Sequence, residues 1–501
     1  MSYSATLITV LVIYLLANLA IGLYASKIQA RKDAAAGKGF VNNYFIGGRS
    51  MGGLVLAMTL IATFTSASSF IGGPGVAYSR GLSWVYLSMI QVPTAFIILG
   101  ILGKKFAIIA RKTEAVTVTD YLRARYKSPA VVIISTVALI LFFMAQMVSQ
   151  FLGGAILFET VTGMPYIWGL VLFGVVVILY TAIGGFQAVV ITDTIQGLIM
   201  VLGGFIILYT IISVGGGLEA ITTKLNTVNP VWSDITSGGT LAKNYLMSFW
   251  VLVGIGVLGL PQTAVRGMGF KNTKSLHDAM IYGTIVVGFL MLVMHFAGVL
   301  IPAILDPNEV KTADYVIPAV VMKHMNPVMA GLFIAAPLSA VMSTVSALLL
   351  LASAALIKDL YLNYIAKEKG EGAAKTDAAF TKKISAMSTA TTFVVGFIVF
   401  LFTIYPPDLI VWINLFAMGG LECAFLCPIL FGLYWKGANA TGALLSSVIS
   451  VAAFLIITTQ KISFFGMTPI VPSILISIVV FVIGCQFGKK SDKETIDLFF
   501  N

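Results

Sequence analysis

Charge is scarce in this sequence: Asp, Glu, Lys and Arg make up 10% of its 501 residues, against 58% hydrophobic residues. A soluble domain of this length needs a charged surface, so a soluble globular fold is excluded. Histidine and cysteine are almost missing too, at three each, and no His or Cys spacing fits a metal site. Cys423, Cys427 and Cys485 fall inside apolar segments, where they read as small, polarizable core residues. A nucleophile elbow, a phosphate loop and a paired-ligand metal motif are all absent, so nothing points to an enzyme. A channel-type filter motif is absent as well. The net charge of +11 raises the question of a nucleic-acid partner, which the distribution of that charge answers.

What the chain has in abundance is apolar stretches of about 20 residues, each long enough to cross a bilayer as a helix. They fall near 3–24, 51–77, 83–109, 129–157, 166–186, 190–214, 245–263, 279–304, 327–356, 384–404, 409–434, 440–459 and 469–487. The expectation is an all-α polytopic membrane protein with 13 transmembrane helices, numbered here as spans 1 to 13. An odd number puts the termini on opposite sides. With the N-terminus outside and the C-terminus cytoplasmic, 25 of the 31 Lys and Arg residues lie in inner loops. That asymmetry is the positive-inside bias of a plasma-membrane (bacterial inner-membrane) protein, so the basic charge is topological and no nucleic-acid partner is expected. The first segment lacks a basic leader and a small-residue cleavage pattern, and reads as a retained helix. Residues 1–501 read as a single integral domain. About a dozen residues follow span 13, which disfavours a transporter-like sensor with an appended signalling domain.

Two spans make poor continuous helices. Span 2 carries a hydroxyl-rich centre, Thr63-Phe64-Thr65-Ser66-Ala67-Ser68-Ser69, and closes on Gly72-Gly73-Pro74-Gly75. Span 7 contains Gly254, Gly256 and Gly259 before Pro261, which lowers helical preference and removes a backbone donor. The two lie five spans apart. Interrupted helices at matching positions of two halves point to an inverted-repeat transporter, with repeats at 51–214 and 245–434, a leading helix at 3–24 and trailing helices at 440–487. Span 9 carries Ser343-Thr344 in an uncharged run. Two readings stand for those hydroxyls. They can bond the carbonyls three or four residues back, as Ser and Thr do in membrane helices. Alternatively, beside the break in span 2, they can offer oxygens to a small hard cation.

Several stretches resemble the sodium/solute symporter family: Tyr44-Phe45-Ile46-Gly47-Gly48-Arg49-Ser50, the run Tyr180 to Val189 with Thr192-Asp193-Thr194-Ile195-Gln196, and Met342-Ser343-Thr344. The resemblance covers nearly the whole chain. Within it, Arg49 to Gly53, Ser66 to Gly75, Ile357 to Asn363 and Trp412 to Leu415 resemble the branch that carries pantothenate. The resemblance implies a leucine-transporter-like five-plus-five inverted repeat. It also implies sodium (Na+) ligands at Ala62, Thr65, Ala340, Ser343 and Thr344. Substrate contacts are implied at Phe64, Ser66, Gln146, Val253, Val257 and Pro261. Phe64 stands where the proline branch has an acidic residue, a change that suits an anion.

From the residues themselves, Gln146 and Gln150 share one face of span 4 and can meet a carboxylate, hydroxyl or amide. Trp250 caps the cavity or sits in an interfacial belt. Asp193, near the start of span 6, is either an interfacial carboxylate or, as the resemblance implies, part of the ion path. Arg266 reads as structural or as an inner-gate residue, and His295 as a satisfied bundle histidine. Glu422, mid-span in span 11 without a charged neighbour in sequence, reads as a structural carboxyl before a proton-sensitive one. The expected function is a secondary active transporter that couples sodium entry to uptake of a small organic anion, pantothenate first. A monocarboxylate, proline or a sugar is the alternative cargo. The lipid bilayer is the surrounding partner, and a monomer suffices.

Overall fold

The computed structural model describes residues 3–36, 51–366 and 378–501. The Tyr44–Ser50 motif lies outside them, as do the side chains of residues 183–188. Among the described residues every regular element is helical, with two isolated bridges, Met51 to Phe270 and Phe464 to Met467. Ten helices are long and apolar enough to cross a membrane. Two bent pairs and the shorter apolar helix Tyr166–Ala182 account for the remaining three of the thirteen predicted spans. Span 9 is almost wholly buried, whereas spans 1, 12 and 13 show most of their surface to the outside. The bundle is therefore built around span 9.

Spans 5 and 6 run without a helical break through Tyr166–Val214, yet the Tyr180 hydroxyl hydrogen-bonds the Thr192 hydroxyl. In a straight helix those residues would stand about 18 Å apart. The chain bends sharply between them.

The two anomalous spans are broken, and each break has a local cause. Span 2 consists of Gly53–Phe64 and Ser68–Arg80, bent by 69°. Thr65 leaves the helix with extended dihedrals, φ −76° and ψ 125°, in the middle of the hydroxyl cluster. Span 7 consists of Lys243–Gly259 and Pro261–Met268, bent by 52°. Leu260 is extended, at φ −88° and ψ 110°, because a residue before proline is sterically pushed out of the α region.

One end of the bundle is tied by charge. The short helix Val118–Tyr126 opens with a capping box between Thr117 and Asp120. Its Arg125, buried, donates to the carbonyls of Gly432 (2.8 Å) and Trp435 (3.1 Å) and to Ser491 Oγ (2.8 Å). The C-terminal helix Lys493–Phe500 lays Phe499 and Phe500 against the same guanidinium, 5.5 and 5.6 Å away. Asp492 caps that helix. Hydrogen bonds from Thr495, then Lys127, hold its carboxyl well below the usual carboxylate range. Lys358, at the end of span 9, pairs with Asp120, and both are buried. Asp359 beside it accepts from Thr117 Oγ1 at 2.9 and 3.1 Å.

Breaking a buried pair by removing one partner strands a charge and costs about 3–5 kcal/mol. Lys358→Met is therefore expected to lower the unfolding temperature in detergent, and adding Asp120→Asn should recover most of the loss. A Lys358→Met protein that melts with the wild type would refute this role for the pair.

Candidate ion and substrate site

At the break in span 2, side chains take over from the helix ladder. The Ala67 N–H donates to Gln150 Oε1 of span 4 at 2.8 Å. The Ser66 N–H donates to Ser69 Oγ and the Ser68 N–H to Ser66 Oγ, each at 3.3 Å. Ser and Thr hydroxyls satisfy local backbone groups in this way, which is why a hydroxyl-rich centre can leave the helical path inside a membrane. The released carbonyls of Ala62 and Thr65 point at span 9. Ser343 Oγ donates to Ala62 O at 2.8 Å and Thr344 Oγ1 to Thr65 O at 3.1 Å. The same hydroxyls also lie 3.1 and 2.8 Å from Ala340 O. The two readings of these hydroxyls thus coexist, and five oxygens from two distant segments converge, all buried. The Thr65 hydroxyl, also buried, has no hydrogen-bond partner.

A chain of neutral amides runs from the break. Gln146 Oε1 accepts from Gln262 Nε2 at 3.2 Å, and Gln146 Nε2 donates to Asn414 Oδ1 at 3.3 Å. Asn414 Nδ2 donates to Ser68 Oγ at 3.1 Å, and Ser68 Oγ lies 3.0 Å from Ser66 Oγ. Spans 2, 4, 7 and 11 thus share one polar seam with no ionised member. Gln262 Oε1, buried and without a partner, leaves the seam an acceptor to spare. Ser66, Gln146 and Gln150 belong to this seam. Val253, Val257 and Pro261 are buried on either side of the break in span 7, and Phe64 is half-buried at the break in span 2. Trp250 is elsewhere: its indole N–H donates to the Tyr86 carbonyl at 3.2 Å, and the two rings lie 5.3 Å apart. An apolar cavity of about 860 Å³, bordered by Val148, Phe249, Leu252, Trp412 and Phe416, touches none of the eight predicted substrate residues.

Asp193 is not interfacial. It is completely buried, accepting from Thr59 Oγ1 of span 2 at 2.8 Å and pairing with Arg266 at 3.4 Å. Arg266 also donates to Thr63 Oγ1 at 3.1 Å, so spans 2, 6 and 7 meet on one ion pair. His295 Nδ1 is bonded to the Met291 carbonyl at 2.7 Å, as a satisfied bundle histidine is. Gln262 and Asn414 escaped sequence reasoning. Gln262 follows the span-7 proline directly and Asn414 lies in the Trp412–Leu415 stretch, positions that could have drawn attention to each.

Residues 44–450 match the model of the sodium:solute symporter family. The chain belongs to that family. Two curated relatives are 44% identical, each over 97% of both chains: the sodium/pantothenate symporters of Escherichia coli K12 and Haemophilus influenzae Rd. The osmoregulated proline transporter of Bacillus subtilis is 29% identical over 99% of this chain and 98% of its own. Among solved structures, a sodium-coupled sialic acid symporter in a substrate-bound outward-open state superposes with a TM-score of 0.80, at 20% identity. It covers 97% of this chain and 98% of its own. MhsT in complex with L-phenylalanine follows at a TM-score of 0.51 and 15% identity, over 87% of this chain and 98% of its own. The fold of this symporter is the leucine-transporter-like one, and its coupling ion is sodium.

Gln150 holds the break of span 2 through one hydrogen bond. Gln150→Leu is expected to leave the buried Ala67 N–H unmade, at a cost of about 1–3 kcal/mol. Thermal unfolding of the purified symporter should show the loss, and an unchanged melting curve would refute the assignment.

Proposed function

We propose that this symporter imports pantothenate with sodium by alternating access, and that the five convergent oxygens of spans 2 and 9 hold the ion. The observation that carries the reading is the pairing of Ser343 and Thr344 with the freed carbonyls of Ala62 and Thr65. A hydroxyl rotates and has two acceptor lone pairs, so oxygens that now bond one another can turn together toward a small hard cation. Ala340 supplies the fifth oxygen. Sodium there would bridge the broken helix to the buried central span and fix the shape of the break, which also carries Ser66 and Ser68. Substrate and ion would then favour each other's binding, as linkage requires.

The cargo is argued from the seam. Pantothenate presents a carboxylate, an amide and two hydroxyls around an apolar core. Gln146, Gln262 and Asn414 offer both donors and acceptors without a carboxylate to repel an anion, and Phe64, Val253, Val257 and Pro261 offer apolar surface. The 44% identity to two sodium/pantothenate symporters supports the same cargo. Asp193 with Arg266 lies on the ion path. No bond of the cargo is made or broken; the work is binding, occlusion and release. The membrane is the bacterial inner membrane, with the N-terminus outside and the C-terminus in the cytoplasm, as the basic inner loops favour.

In sealed liposomes, labelled pantothenate should accumulate under an inward sodium gradient and not without it. Ser343→Ala with Thr344→Ala should raise the sodium needed for half-maximal uptake at least about tenfold, equivalent to ~1.4 kcal/mol. Accumulation of proline, a monocarboxylate or a sugar instead would overturn the cargo and leave the ion site standing. Uptake indifferent to sodium would overturn both. Orientation is tested separately. An impermeant maleimide should label Lys461→Cys in intact cells and Lys436→Cys only after permeabilisation, and the reverse pattern would invert the topology.

A further inference from the structure

Glu422 is the only charged residue of span 11, Ile410–Tyr434, and it sits at mid-helix. The residue is completely buried and neither carboxyl oxygen has a hydrogen-bond partner. It is pressed against bare backbone of the broken span 7. A Cβ on Gly256 would stand 2.1 Å from Glu422 Oε2, and one on Gly259 would stand 3.0 Å from Glu422 Cα and 2.9 Å from the Leu426 nitrogen. At Gly259 the obstacle is backbone, so only glycine fits there, and a side chain at Gly256 would displace the Glu422 carboxyl; both occupy the last turn before the break at Leu260. The carboxyl therefore reports directly on whether span 7 is seated against span 11.

No charge in the surrounding elements compensates it. Spans 12 and 13 contain no Asp, Glu, Lys or Arg over 440–459 and 470–487, only Cys485. In span 4 the single charged residue is Glu159 at the far end, held by Lys311 and Tyr315. In span 7 there are Lys243 at its start, Tyr245 two residues on, and Arg266, which is paired with Asp193. The span-2 segment Ser68–Gly72 has no ionisable residue. Helix Val118–Tyr126 brings Asp120, Arg123 and Arg125, with Tyr121 and Tyr126, to the inner end of span 11. There Arg125 bonds the Gly432 carbonyl, ten residues from Glu422 and about 15 Å along the helix. On span 11 itself the titratable neighbours are Cys423 and Cys427, with Tyr434 at the inner end against Ile101 and Lys105 of span 3. An unpaired carboxylate in such a place costs far more than the neutral acid, so the group takes up a proton instead.

We propose that Glu422 is a proton-binding site of this symporter: it holds a proton while span 7 lies against span 11, and gives it up when span 7 moves away and water reaches the carboxyl. The ligand class is the hydron itself. Alternating access displaces broken helices, so the proton stabilises one seating of span 7 and makes the transport cycle sensitive to pH. Raising the pH removes the proton, leaves a bare charge on the Gly256 backbone and disfavours that seating.

The first test needs no substrate, so its failure is separate from failure of the transport reading. Infrared spectra of the purified wild-type protein at neutral pH should contain the carbonyl band of a protonated carboxyl group. Glu422→Gln, neutral and of the same size, should lack that component. Absence of any such band from the wild type would overturn the proposal, whatever the variant does. The second test follows sodium-driven uptake over a series of rising pH. The wild-type rate should fall at least about threefold with rising pH, whereas Glu422→Gln should keep its uptake with a nearly flat profile. Superposable profiles would overturn the proposal. So would a Glu422→Gln protein that needs about tenfold more sodium at every pH, because the carboxylate would then be a sodium ligand.

Discussion

Inside a bilayer a peptide group cannot turn to water, and the whole arrangement of this symporter follows from how two helix interruptions meet that constraint. Span 2 meets it with side chains: the hydroxyls of Ser66 and Ser69 and the amide of Gln150 take the N–H groups that the helix releases. Span 7 meets it by deletion, since Pro261 has no N–H to satisfy and Leu260 is already forced to be extended. At the span-2 break the donors are accounted for and two carbonyls are left over. Those of Ala62 and Thr65 find the hydroxyls of span 9, the most enclosed helix of the bundle. The polar heart of the protein is thus a by-product of broken hydrogen-bond ladders.

Charge inside the bundle is used sparingly and always at a junction of spans. Asp193 and Arg266 join spans 6 and 7 and reach Thr59 and Thr63 of span 2. Lys358 and Asp120 join the end of span 9 to the short helix Val118–Tyr126. The seam between the two breaks contains amides and hydroxyls only. An uncharged seam can exchange partners with a passing solute at little electrostatic cost, whereas a buried ion pair resists rearrangement. The seam is thus neutral and the junctions around it ionic, and Glu422, buried without a partner, belongs to neither.

Much of this was legible in the chain. Hydropathy located the apolar helices, and the hydroxyl cluster of span 2, the span-7 glycines and Pro261 marked the two that break, because backbone physics at those residues is local. Gly-Gly-Pro-Gly was misleading: the expected end of span 2 is helical there, within Ser68–Arg80. Ser343 and Thr344 stood out as hydroxyls in an uncharged run. What could not be read was pairing across the bundle. Asp193 lies one residue from Thr192 in a helix whose ends look alike, and only packing shows that it faces Arg266 rather than the interface. Gln262 and Asn414 are single amides in apolar runs, without periodicity to mark which face they occupy. Trp250 carried two readings, and its bond to the Tyr86 carbonyl depends on how span 3 leans against span 7.

The pair formed by Lys358 and Asp120 joins residues 238 positions apart. A ribosome makes the acidic member first, and until span 9 emerges its carboxyl has only local partners, Arg123 at 3.5 Å and the N–H groups of Val116 and Thr117. The lysine that completes the pair follows nine of the thirteen spans in the chain. The clasp between the helix Val118–Tyr126 and span 9 is therefore a contact that only a nearly finished chain can make.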